Sequence, residues 1–216
     1  MGALPALGLL ATERKASAGS GTDVAGVVQV RRKKRLRRNH DGVIVYLEGV
    51  PGARKSTASA VLEVRQKDRA FTPDVSAVLV GTTLTFPNDD HIMHNVFSTS
   101  DAGRFDLGAY KTGTTKSFRT HKTGTIRIYC NMHPEMAATV LVLDTNYFAQ
   151  TDENGRFVIP RVPPGTYRWV AWQPHGESVS GQVVVGAGGA ESVQAELSET
   201  WPPRHRRKDG SHYDEY

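Results

Sequence analysis

The 216-residue sequence contains one cysteine, Cys130. A single thiol excludes an intramolecular disulfide framework and a Cys-x-x-Cys-His haem attachment, so the chemistry of Cys130 has to come from its neighbours. Long hydrophobic runs are also missing, and no stretch reaches the roughly 18 apolar residues that a membrane-spanning helix needs. The longest apolar start, Ala3 to Ala11 (ALPALGLLA), reads as a short export signal without a basic leading region. A lipid anchor would need a cysteine near the start, and none is there. Sustained helical periodicity is absent as well. The apolar fraction of 38% suits short-stranded sandwiches carrying tails that need no core.

What the sequence does have is clustered positive charge. The formal charge of +5 sits in Arg31 to Arg38 (RRKKRLRR) and in Arg204, Arg206, Arg207 and Lys208 of the tail, and the remainder is near neutral or acidic. The plain reading of Arg31 to Arg38 is a solvated loop between strands. Two sharper readings stay open: electrostatic docking to an acidic partner or an anionic membrane surface, and salt-dependent phosphate contacts in a nucleic-acid-associated β protein.

Along the chain, residues 12–22 (TERKASAGSGT) read as a polar linker. Val24 to Val30 and Val43 to Leu47 are β-branched runs flanking the basic segment, and they predict two strands of a hairpin with an Arg-rich tip. Ala60 to Val64, Val75 to Val80, Thr83 to Phe86, Thr125 to Cys130 and Ala138 to Leu143 continue a strand-and-turn rhythm broken by Pro73, Gly81 and Pro87. In Thr125 to Cys130, Ile126, Ile128 and Cys130 share one face, with Arg127 and Tyr129 on the other, which puts the thiol on the inner face at a strand end. After Asp144 the texture changes to a turn-rich second module, TDENGRFVIPRVPPGTYRWVAW. From Trp201 the charged composition predicts a disordered tail.

The chemistry-bearing segment is Cys130-Asn-Met-His133-Pro-Glu-Met136, which places a thiolate, an imidazole and a thioether on one loop. Soft thiolate and thioether donors favour Cu(I), imidazole serves both oxidation states, and two histidines with a cysteine and a weak methionine make the blue-copper set. Zinc sites do not usually use thioether. A nucleophile-and-base reading of Cys130 with His133 lacks an accompanying oxyanion motif. The missing histidine comes from FPNDDHIMHNVF, where His91 and His94 compete and His94 is followed by Asn-Val. His121 reads as a solvated surface residue, and His175, His205 and His212 have no ligand-like setting.

These segments resemble the cupredoxins of plastocyanin and pseudoazurin type. FTPDVSAVLVGTTLTFPN looks like the family's strand pair before the first ligand, FPNDDHIMHNV like its strand leading to His-Asn-Val, and YCNMHPEMAATVLV like its Cys-x-x-His-x-x-Met loop. The resemblance implies one type 1 copper ion held by His94, Cys130, His133 and Met136, with Asn95 helping to fix the cysteine loop. A binuclear copper centre would need a second loop cysteine. The second module resembles the carboxypeptidase regulatory-like, transthyretin-type sandwich through TD-x-x-G-x-F at Thr151 to Phe157 and VPPG-x-Y at Val162 to Tyr167. Its opening strands are missing there, and Val24 to Leu47 looks like them.

The expected fold class is therefore all-β: a Greek-key cupredoxin β-sandwich with a second, smaller transthyretin-like β-sandwich. The expected division is a leader over 1–22, opening strands over 23–55, an inserted copper domain over 60–144, the rest of the second sandwich over 145–198 and a tail over 199–216. The resemblance implies an electron shuttle, not an enzyme, outside the cytoplasm, periplasmic or extracellular. A redox partner, a cytochrome or an oxidoreductase, would dock near His133, with Met93, Met132 and Pro134 as rim. A copper-handling protein without a redox partner is the alternative in the same ligand set.

Overall fold

A computed structural model describes residues 21–54, 59–186, 188–200 and 205–213; the expected export signal lies outside them. Among the described residues there are strands and turns and no helix. In chain order the strands are β1 (Thr22–Arg32), β2 (Arg35–Leu36), β3 (Ile44–Glu48), β4 (Val61–Glu63), β5 (Arg65–Lys67) and β6 (Ala70–Thr72). Then come β7 (Val75–Leu79), β8 (Thr83–Pro87), β9 (His94–Ser100), β10 (Gly103–Tyr110), β11 (Thr115–Arg119), β12 (Gly124–Cys130) and β13 (Ala137–Leu143). The last six are β14 (Phe148–Gln150), β15 (Arg156–Val162), β16 (Gly165–Trp172), β17 (Val179–Gly186), β18 (Gly189–Ala190) and β19 (Val193–Glu199).

The first sandwich packs a five-stranded sheet, β10-β9-β12-β13-β7, on a three-stranded one, β11-β8-β4. The chain passes back and forth between the two sheets, and β7 lies parallel to β13, the crossed connectivity of Greek-key sandwiches. Alternation along β12 buries Ile126, Ile128 and Cys130 and exposes Arg127, so a strand of period two delivers the thiol into the core. That core also holds Leu84, Phe86, Val96, Met136 and Val140.

The second sandwich joins sheet β15-β1-β19, with β2 on the end of β1, to sheet β14-β3-β16-β17-β18. Its core contains Val24, Val28, Val30, Val45, Leu47, Phe157, Ile159, Trp169, Val183 and Leu197. The two sequence motifs have local reasons. In the Thr151 to Phe157 segment, Asp152 Oδ1 accepts from the N–H groups of Asn154 and Arg156 at 2.9 and 2.8 Å, while Gly155 sits at φ 76°. A Cβ there would lie 2.0 Å from the Val28 carbonyl oxygen, so only glycine lets this turn close against β1. Thr151 Oγ1 donates to the His40 carbonyl at 2.7 Å and accepts from Val43 N–H at 3.1 Å, tying the turn to the entry of β3. In the Val162 to Tyr167 segment the Tyr167 hydroxyl donates back to the Pro164 carbonyl at 3.2 Å.

One sequence expectation is corrected. The strands flanking the basic segment do not pair as a hairpin, because β1 and β3 lie in opposite sheets. The chain turns instead at Lys33 and Lys34, where Arg31↔Leu36 and Arg32↔Arg35 form the short β1–β2 hairpin. The physical reason is the partner strand: β1 runs parallel to β19 from Gly26 to Arg32, which brings Glu196 to 2.8 Å from Arg31. Arg37 lies 3.6 Å from Glu199. Those cations are neutralised locally, and Lys33, Lys34 and Arg35 remain exposed at the tip.

The two sandwiches share an apolar seam. Leu141 and Leu143 of β13 are buried with Ile44 of β3, against partly buried Tyr46, Leu79, Phe148 and Trp172. Both faces of β13 are thus covered, which is why its six residues from Ala138 to Leu143 are all buried and why Val140 to Leu143 reads as a continuous apolar run.

Candidate metal centre

His94 opens β9 and is fully buried. The loop before it is knotted by Asn88, whose Nδ2 donates to the carbonyls of Ile92 at 2.9 Å and Tyr110 at 3.1 Å. Cys130 ends β12, also fully buried. Its strand is held against β9 by the pairs Tyr129↔Phe97 and Cys130↔Val96. The following loop closes on itself: Met136 N–H donates to the His133 carbonyl at 3.1 Å, and Cys130 N–H to the Met136 carbonyl at 3.2 Å.

The fold brings His94, Cys130 and His133 together as the one such His, Cys, Asp and Glu cluster among the described residues. Nδ1 of His94 lies 3.1 Å from Nδ1 of His133, and Cys130 Sγ lies 3.8 and 3.5 Å from those two nitrogens. The centre of that triangle is about 2 Å from each corner, the distance at which imidazole nitrogen and thiolate sulfur bind a first-row metal ion. Burial, and then the neighbouring His94, push the His133 pKa below its ordinary value, which keeps a lone pair available. Two imidazoles and one thiol at these spacings fit a trigonal ion of the copper type. Met136 is fully buried in the same core cluster as Cys130.

The remaining histidines lie elsewhere. His91 is exposed and outside the cluster, with its N–H on Asp90. His121 is exposed and meets the Phe118 ring edge-on. Asn95, expected to fix the cysteine loop, donates its amide to Asp106 Oδ1 at 2.8 Å.

Two features escaped the sequence reading. Asp90 is buried and its Oδ2 lies 3.0 Å from His94 Nε2. The Arg69 N–H, then His94 and the His91 N–H, hold its carboxyl down to about 2 despite burial. The tail, expected to be disordered from its charge, folds over the cysteine loop between 205 and 213. The Tyr213 hydroxyl donates to the Cys130 carbonyl at 2.6 Å, and the His205 ring stacks on Tyr129 with centroids 4.1 Å apart. Lys208 N–H donates to Asn131 Oδ1 at 2.9 Å, and its ammonium lies 2.6 Å from Asp106. Burial disfavours the Asp106 charge, yet Lys208, Asn95 and the Gly108 N–H hold its carboxyl down to about 2. Composition gave no warning, because these contacts are long-range and polar.

A chain ending at residue 204 is expected to open this cover. Alkylation of Cys130 by iodoacetamide in the metal-free protein should run several-fold faster than in the full chain, since a buried thiol reacts through local opening. Equal rates would show that the tail does not shield the loop.

The carboxypeptidase regulatory-like domain family matches residues 123–198. That match begins in the β12 region, while β1 and β3, which pair with β15 and β16, lie outside it. Among solved structures, a purple cupredoxin from Nitrosopumilus maritimus is similar at 25% identity, over 38% of this chain and 98% of that one, with a TM-score of 0.34. A Cu-containing nitrite reductase from Thermus scotoductus SA-01 is 23% identical over 43% of this chain, with a TM-score of 0.37, and this chain spans 24% of it. An amicyanin variant in its Cu(I) form is 21% identical over 48% of this chain and 100% of that one, with a TM-score of 0.36. No curated protein matches the sequence. Among the described residues the chain is all-β and forms two sandwiches, the second of which contains most of the residues that match the carboxypeptidase regulatory-like family. The first sandwich holds a His–Cys–His group able to bind a metal.

Proposed function

We propose that this protein is a type 1 copper protein that passes single electrons between redox partners outside the cytoplasm. His94, Cys130 and His133 would be the trigonal ligands and Met136 the weak axial one. The observation that carries this is the donor triangle itself, one thiol and two Nδ1 atoms spaced for a trigonal ion. Copper bound there would supply a one-electron couple, Cu(I)/Cu(II), in a geometry suited to both states. The protein's part is to keep that geometry. Cys130 and His94, at strand ends, and Met136 of the loop are buried in a packed core, which would keep water from them and resist their rearrangement when the charge changes.

His133 is the partly exposed ligand, and it is the edge through which a partner protein would exchange electrons. Met93, Met132 and Ile92, exposed at 52, 42 and 42%, would give the docking face an apolar rim. No helix among the described residues is long and apolar enough to cross a membrane.

The organisation we propose is a copper domain over 60–144 inserted into a second sandwich built from 23–55 and 145–198. The pairing of β1 with β15 and β19, and of β3 with β14 and β16, supports it.

The test is to add Cu(II) to the metal-free protein and record its absorption. Intense blue thiolate-to-copper absorption is expected; a colourless, ordinary copper spectrum overturns the reading. His94→Ala should abolish the colour and His91→Ala should leave it unchanged, since only the first removes a corner of the triangle. Loss of colour in His91→Ala would overturn the ligand choice.

A further inference from the structure

The far nitrogen of the buried histidine faces a carboxylate. His94 Nε2 lies 3.0 Å from Asp90 Oδ2, with His94 fully buried and Asp90 8% exposed. Asp90 is itself held on every side. Its carboxylate accepts from Arg69 N–H at 2.9 Å and His91 N–H at 2.8 Å. Its own N–H donates to Asn88 Oδ1 at 3.0 Å, and its carbonyl accepts from Thr112 Oγ1 at 2.5 Å.

The Arg69 donor is delivered by an unfavourable backbone. Asp68 and Arg69 form the two-residue turn between β5 and β6, at φ 53° and 55°. That left-handed pair is a conformation in which glycine or asparagine is usual. A non-glycine residue is kept there by the surrounding structure, and such strain gathers where a precise contact is needed.

A carboxylate with these donors has only acceptor sites, so a hydrogen bond from His94 requires the proton to sit on Nε2. The Nδ1 lone pair is then free to point at Cys130 and His133. We propose that Asp90 is a positioning residue that locks His94 in its Nε2–H tautomer and whose negative charge, passed through the ring, favours Cu(II) over Cu(I) and so lowers the reduction potential. Carboxylate partners of metal-bound histidines raise ligand basicity in this way. The potential half of the inference rests on the copper reading given above, and the tautomer half does not.

The tautomer is read by two-bond nitrogen–proton correlation NMR on the full-length, metal-free protein. A single Nε2–H form of His94 is expected in the wild type and in Asp90→Asn, whose amide oxygen still accepts, and a loss of that single form in Asp90→Ala. A wild-type His94 protonated on Nδ1, or a tautomer unchanged in Asp90→Ala, overturns the inference whether or not copper binds. In copper-loaded protein, Asp90→Asn should keep the blue absorption and show a higher midpoint potential than wild type in a redox titration. An equal or lower potential overturns the charge effect. Asp90→Ala should weaken Cu(II) binding by about tenfold to a hundredfold, and unchanged affinity counts against the positioning role. Wild-type protein without blue copper would sink the functional reading alone, because the NMR result still decides the tautomer.

Discussion

Cys130→Ser is expected to abolish the blue absorption completely and to weaken Cu(I) binding far more than Cu(II) binding. The transition requires a thiolate on copper, and the chain has no other cysteine to supply one. Serine is nearly the same size, but its hydroxyl stays protonated near neutral pH and is a hard donor with little affinity for Cu(I). The pocket would still present two imidazole nitrogens 3.1 Å apart, so some Cu(II) binding with an ordinary, weakly coloured spectrum should remain. Stability should change by only about 1 kcal/mol, because Ser Oγ can hydrogen-bond to the same histidine nitrogens. Absorption and thermal unfolding measured on one sample separate the two effects. Intense colour surviving in a folded Cys130→Ser protein would mean that the thiol is not the chromophore's ligand.

Separating the second sandwich from its opening strands should be as drastic. A fragment spanning 145–198 is expected not to fold. It lacks β1, which is the middle strand between β15 and β19, and β3, which lies between β14 and β16. Removing both strands leaves the inward edges of four strands unpaired. It also strips Val24, Val28, Val30, Val45 and Leu47, all fully buried, from the core. At about 1.5–3 kcal/mol for each such side chain, the loss is comparable to the whole stability of an ordinary domain, about 5–15 kcal/mol. Far-UV circular dichroism and amide dispersion by NMR would show a coil. A fragment that instead unfolds cooperatively would mean that the strands before residue 55 are accessory, and the proposed insertion would fail.

How much of this was legible depends on distance along the chain. Cys130, His133 and Met136 fall within seven residues at the end of a strand whose alternation is plain, so covalent spacing alone puts them on one loop. The Thr151 to Phe157 and Val162 to Tyr167 turns are local in the same sense, since Asp152 and Tyr167 bond to their own segments. The hairpin expected around the basic segment failed for the opposite reason. The two long partners of β1, β15 and β19, stand more than 120 residues away in sequence, and a short β-branched run carries no mark of which sheet it enters. β11 was missed because Thr115–Arg119 buries no residue fully and shows no apolar alternation.

The sequence by itself determined which donors the chain owns, one thiol and a handful of imidazoles, and which of them share a loop, because covalent spacing and strand period settle that. Only the tertiary structure decided which distant groups complete the site. Asp89 and Asp90 are identical neighbours in the sequence, yet Asp89 pairs with Arg65 at the surface while Asp90 is buried on His94. His91 and His94 differ by three residues, and one is exposed while the other forms a corner of the triangle. Likewise the basic tail, unremarkable as a string, meets acceptors on Asn131, Asp106 and Cys130 that exist in place only once the sheets have closed. Side chains with the same chemistry are told apart by which way the backbone faces when it enters the core, and that direction is set by long-range strand pairing.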